Sequence, residues 1–146
     1  MKFFLSTLLG TALCGLAKAA TLTIACGAGG TELALCKLHA EAWARSRGHE
    51  VRTFSQPGSA NEALALYRQL LAGKSDAIDV LRIDTVWPGV LKDHLVDLGP
   101  YLGEEAKSHF PALIANNTVG GRLVALPWYV DAGVLYYRSD LLKRHG

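Results

Sequence analysis

The alternation of strand-forming and helix-forming stretches over residues 21–83 leaves few folds open to this chain. Residues 21–25 alternate, with Leu22 and Ile24 on one side, and read as a strand ending at Cys26-Gly27-Ala28-Gly29-Gly30. Thr31 is placed to cap a helix in which Leu35, Leu38, His39, Ala42 and Trp43 recur at helical spacing. Those residues are expected to pack inward, and Gly48 suits the position just past the helix end. A second strand is expected over 50–54. After Gln56-Pro57-Gly58, Ser59 and Glu62 form a capping box for a helix with Leu64, Tyr67 and Leu71 inward and Gly73 at its end. Residues 78–83 supply a third strand, followed by Asp84-Thr85-Val86-Trp87-Pro88-Gly89, a short helical piece and a further helix over 103–110. This order predicts right-handed crossovers and an α/β fold, a parallel sheet with helices on both faces. Ligands of such sheets bind beyond the carboxyl ends of the strands. That rule points to the loops at 29–32, 56–61, 84–87 and 128–131, and makes Asp84, Trp87, Tyr129 and Asp131 candidates for one pocket.

The stretch 120–142, GGRLVALPWYVDAGVLYYRSDLL, carries the most distinctive chemistry. Val119-Gly120-Gly121-Arg122 offers a two-residue hairpin turn, and residues 123–126 and 134–137 read as short strands. Between them Pro127-Trp128-Tyr129-Val130-Asp131-Ala132-Gly133 presents two aromatics and a carboxylate on a loop. A pyranose offers apolar C–H faces to aromatic rings and hydroxyls to an ionised carboxylate, so this mixture suits a sugar. The same residues also fit a half-buried hairpin with core aromatics and a turn Asp.

The first residues have the form of an export signal. Lys2 is a positive start, residues 3–16 are apolar, and Ala17-Lys18-Ala19 has the small-x-small pattern of a signal-peptidase site. The run is too short for a membrane span. Leu13 before Cys14 does not fit a lipoprotein signal, so residues 1–19 are expected to be a signal peptide cleaved near Ala19. The remaining residues, in a sequence half hydrophobic and 19% charged, suit one globular domain. Cleavage removes Lys2 and Lys18, taking fifteen Lys and Arg to thirteen, equal to the thirteen Asp and Glu. A neutral mature chain gives no support to nucleic-acid or anionic-membrane binding. Cleavage also leaves Cys26 and Cys36 as the remaining cysteines. In an oxidising compartment two such cysteines usually pair, worth about 2–3 kcal/mol by loop entropy, with two free thiols as the alternative. Their spacing is not that of a metal or redox motif, and His39 and His49 add no ligand pattern.

Several weak motifs carry little. Gly27-Ala28-Gly29-Gly30-Thr31-Glu32 sits where a dinucleotide fingerprint would, but Glu32 would repel a pyrophosphate. Gly73-Lys74-Ser75 lacks the first glycine of a phosphate loop, with Arg68 in its place. Asn116-Asn117-Thr118 matches a glycosylation acceptor, and no Ser sits in a G-x-S-x-G elbow. Asp84 and Asp131 could serve a glycosidase, which needs two carboxylates, and this is the enzymatic alternative.

LTIACGAGGTELALCK, PGSANEALALYRQLL, IDVLRIDTVWPGVL and above all GRLVALPWYVDAGVLYYRSDLL resemble the amino-terminal part of the extracellular solute-binding proteins of sugar ABC importers, closest to the trehalose/maltose-binding group. In that family two α/β lobes joined by a hinge close on a sugar, which passes to a membrane permease. The resemblance implies a parallel-sheet lobe of a periplasmic-binding-protein-like, type II fold, and a binding role without catalysis or cofactor. It also implies a periplasmic location, permease subunits as partners and a monomer at full length. Carried over by position, it implies that Glu32, Asp84, Tyr129 and Asp131 accept sugar hydroxyls or stack on the sugar, with Trp87 and Trp128 as further candidates. Where the family commonly reads T-E-R, this chain has Asn61-Glu62-Ala63, which removes a basic sugar contact. The resemblance further assigns residues 20–133 to lobe one and 134–146 to a hinge strand and the start of a second lobe, with the rest of that lobe missing. Such a fragment would expose Val134, Leu135 and Tyr136 and bind sugar at about millimolar strength or not at all.

Overall fold

The computed structural model describes residues 19–131 and 133–146. The expected signal peptide, with Cys14, therefore lies outside the described residues except for Ala19, and so does Ala132 of the aromatic loop. The chain forms two compact units, one made of the described residues up to Gly58 with Asp76–Arg82, the other of Ser59–Ser75 with Ile83–Gly146.

In the first unit β1 (Thr21–Cys26) and β2 (Glu50–Ser55) pair in parallel, in a register running from Thr21 against Glu50 to Cys26 against Ser55. A parallel pair needs a crossover, and α1 (Gly30–Arg47) provides it. The expected third strand is reduced to a single parallel bridge between Ile24 and Val80. Its bonds are Ala25 N–H to the Val80 carbonyl at 2.8 Å and Val80 N–H to the Thr23 carbonyl at 3.1 Å. The Thr23 N–H donates instead to the Asp79 carboxylate at 2.7 Å. A side chain thus satisfies a donor that a longer ladder would have used, and the pairing stays short.

The phase of α1 differs from the sequence expectation. Cys36 and Ala44 are buried with Ala40 half-buried between them, a row at i, i+4 and i+8, whereas Leu35, Leu38, His39, Ala42 and Trp43 are exposed. Apolar residues occur around the whole helix, so periodicity alone does not choose a face. The Cys26–Cys36 disulfide makes the choice, holding the two Cα atoms 5.8 Å apart and turning the small-residue row onto β1. Trp43 lies against His49 with ring centroids 5.6 Å apart. Thr31 is the second residue of α1 and not its cap, which is Gly29. Gly48 ends the helix as expected, in the left-handed region at φ 68°, with its N–H on the Ala44 carbonyl.

The second unit begins with α2 (Ala60–Ala72), capped by Ser59 through a 3.5 Å bond from the Glu62 N–H and closed by Gly73. Ala63 and Tyr67 are its buried residues, and Leu64 and Leu71 are half-buried. Three short helices follow, α3 (Pro88–Leu91), α4 (Gly99–Ala106) and α5 (Pro111–Asn117), each with Pro in its first turn, where the missing N–H costs nothing. The helix expected at 103–110 therefore starts and ends earlier, and α5 occupies sequence that had no assignment. Then β3 (Thr118–Val119) and β4 (Arg122–Leu123) form the expected antiparallel hairpin. Gly120 and Gly121, at φ 59° and 79°, supply the two left-handed residues that a type I′ turn requires. The Asp97 carboxylate accepts from Gly99 N–H at 2.9 Å and Leu123 N–H at 3.2 Å. The Arg122 guanidinium donates to the Lys92 carbonyl at 2.7 Å, at the carboxyl end of α3. Residues 124–126 extend no ladder, and neither do residues 134–137, which are exposed. Among the described residues no edge pairs with either segment. The last element is α6 (Ser139–His145).

Because the disulfide closes a ring of about ten residues at the base of α1, replacing Cys26 and Cys36 together by Ala is expected to lower unfolding free energy by about 2–3 kcal/mol. Urea unfolding of the oxidised protein and the variant, and of both under reductant, checks this. The reductant should affect only the first.

Candidate functional site

Each candidate side chain is positioned by its own local structure. In the first unit, parallel β1 and β2 send their following loops from the same sheet edge. Ser55 Oγ donates to the Ala28 carbonyl at 3.3 Å, tying the two loops together. Gln56, at the end of β2, is buried. Glu32 lies in the first turn of α1, where the helix dipole favours a carboxylate. Its side chain is 32% exposed and forms an ion pair with Arg82, itself 28% exposed. The carboxylate lies over Gly27, where an added Cβ would come within 2.7 Å of Glu32 Cδ and Oε2.

In the second unit Asp84 is exposed, and its Oδ1 accepts from the Val86 N–H and the Thr85 hydroxyl, both at 3.2 Å. The Asp84 carbonyl accepts from the Trp87 N–H at 3.0 Å, and Asn116 donates to the Thr85 carbonyl at 2.8 Å. Asp84 is thus both a turn former and a surface carboxylate. Trp87 is 6% exposed and meets the fully buried Tyr67 edge-on, with centroids 6.0 Å apart. Trp87 is a core residue. Trp128 and Tyr129 are about half exposed and in edge contact with each other at 5.8 Å. Asp131 is exposed on the same loop. Among the described residues, the loop presents these two rings half exposed and the Asp131 carboxylate exposed. At the start of α6, Arg138 forks onto Asp140 at 2.8 and 2.6 Å. That hydrogen bonding holds the Asp140 carboxyl below its usual range and raises Arg138. Both are exposed and belong to the helix start.

Sequence reasoning passed over Arg82. Its signal was a cation inside the otherwise apolar run Val80-Leu81-Arg82-Ile83, at the carboxyl end of the third sheet segment. Ala63 is fully buried in α2.

Residues 36–146 match the family described as bacterial extracellular solute-binding protein, and the chain belongs to that family. It is 50% identical over 131 residues to a probable ABC transporter-binding protein of Deinococcus radiodurans, across 89% of this chain and 31% of that one. It is similar in structure to the maltose-bound MalE3 of T. maritima, with a TM-score of 0.76 and 35% identity over 88% of this chain and 33% of that one. The fold is therefore the type II fold of that binding protein. The chain spans about a third of the length of either relative.

The contrast between the tryptophans is measurable. Trp87→Ala is expected to cost about 3–5 kcal/mol of stability, as for a buried aromatic, and Trp128→Ala less than about 1 kcal/mol. Chemical denaturation of both variants checks this, and equal losses would contradict the burial difference.

Proposed function

We propose that the protein carrying this chain is the substrate-binding component of an ABC importer, taking up a neutral disaccharide such as maltose or trehalose and delivering it to a membrane permease. The observation that carries this reading is the 35% identity and 0.76 TM-score to the maltose-bound MalE3 of T. maritima. The half-exposed Trp128 and Tyr129 beside Asp131 agree with it in chemistry. Stacking rings and an ionised acceptor are what a pyranose needs.

On this reading residues 1–19 are a signal peptide removed near Ala19, and the protein works in the periplasm as a monomer. Residues 20–133 belong to the first sugar-binding lobe, and 134–146 to the hinge strand and the start of the second. Glu32, Asp84 and Asp131 accept sugar hydroxyls, and Trp128 and Tyr129 stack on ring faces. Trp87 serves by anchoring the 84–87 turn from the core. One relative is named a probable ABC transporter-binding protein and the other is described as maltose-bound, and neither name lends support to a glycosidase built on Asp84 and Asp131.

Titration calorimetry of the exported protein with maltose and trehalose is expected to give saturable binding of at least one sugar with no release of glucose. Asp131→Ala should weaken that binding about 10- to 100-fold, the loss expected for one hydrogen bond to a charged acceptor. Failure to bind either sugar overturns the reading, as does glucose release that Asp131→Asn abolishes.

A further inference from the structure

We propose that Arg82 and Gly27 are positioning residues for Glu32, which hold its carboxylate in one place and neutralise it so that it receives an uncharged hydroxyl ligand. The proposal rests on the sugar-binding reading and names what regulates the geometry of one of its acceptors.

Three observations carry it, all within the first unit. The Glu32–Arg82 ion pair joins residues fifty positions apart, with side chains 32% and 28% exposed. The other ion pairs among the described residues, Glu41–Arg45, Glu104–Lys107 and Arg138–Asp140, are local and more exposed. Exposed local pairs constrain little, whereas a shielded pair bridging separate segments fixes both. Next, Gly27 leaves the space that the Glu32 carboxylate fills, since a Cβ there would stand 2.7 Å from Cδ and Oε2. Its backbone is not in the left-handed region, so a Cβ there would act by displacing the Glu32 carboxylate and not through backbone strain. Finally, Gly27 and Glu32 lie inside the ring closed by Cys26–Cys36, and Arg82 follows the Val80 bridge to β1. All three residues are thereby tied to β1.

Charge gives the arrangement its chemical sense. A lone carboxylate favours cations, while one ion-paired with a guanidinium stays ionised and still offers acceptor oxygens within a pair of no net charge. A carboxylate has about four lone-pair directions. Fixing it in advance also removes part of the ordering cost of binding.

The test is a pair of double-mutant cycles on the exported protein, read by calorimetry with maltose and trehalose and by urea unfolding. Arg82→Ala and Gly27→Ala are each expected to weaken sugar binding about tenfold, the order of one charge-assisted hydrogen bond. In a Glu32→Ala background each should change it less than about twofold, because there is no carboxylate left to position or to collide with. Arg82→Lys should restore part of the affinity and Arg82→Gln less. Equal losses in both backgrounds overturn the proposal, since Arg82 or Gly27 would then act directly or through the fold, and so does wild-type affinity in either single variant. If the wild-type protein binds neither sugar, the functional reading has failed and the stability cycle decides alone. Coupling between Arg82→Ala and Glu32→Ala in unfolding free energy upholds the positioning pair, and additivity overturns it.

Discussion

Hydrogen bonding along both edges of β1 is the constraint from which the first unit follows. One edge carries the six-residue parallel register with β2, the other the short pairing with residues 79 and 80. Parallel pairing brings the starts of the following loops to one end, so Gly27, Gln56 and Arg82 all follow segments that run the same way. The disulfide then joins the end of β1 to α1 one turn beyond Glu32. The link removes loop-closure entropy from the unfolded chain across the segment that contains the first turn of α1. Cys36, Ala40 and Ala44 form the small-residue face that this linkage turns inward.

The second unit reaches the same end by polar anchoring. Asp97 ties the start of α4 to β4, Arg122 ties β4 to the end of α3, and Asn117 accepts from Val124 at 2.9 Å. The hairpin is therefore fixed on the side from which residues 125–131 depart. Past that point Trp128, Tyr129 and Val130 are about half exposed. Trp87, of the same type as Trp128, instead packs its ring on Tyr67.

Much of this was legible in the residues. The order strand, helix, strand, the ends of α1 and α2 at Gly48 and Gly73, the Ser59 cap and the Gly120-Gly121 turn each have a local cause that a sequence displays. The phase of α1 was not legible, because apolar residues surround the helix and a covalent bond to β1 selects the face. Nor was the shortness of the third strand, which depends on the Asp79 side chain taking the Thr23 N–H from fifty-six residues away. The candidate carboxylates were found from loop position and family pattern. Arg82 was missed because its meaning lies in a partner fifty residues earlier, and Trp87 and Trp128 could not be told apart before burial separated them.

The central claim is that loop carboxylates and exposed aromatics of this chain receive a neutral sugar. Amide chemical-shift mapping of the 15N-labelled protein during titration with maltose and trehalose tests it most directly. The account predicts saturable shifts at residues 27–32, 84–86 and 128–131, with the core amides of Tyr67 and Leu91 unmoved. Shifts confined to α4, α5 and α6, or none at saturating sugar, would contradict it.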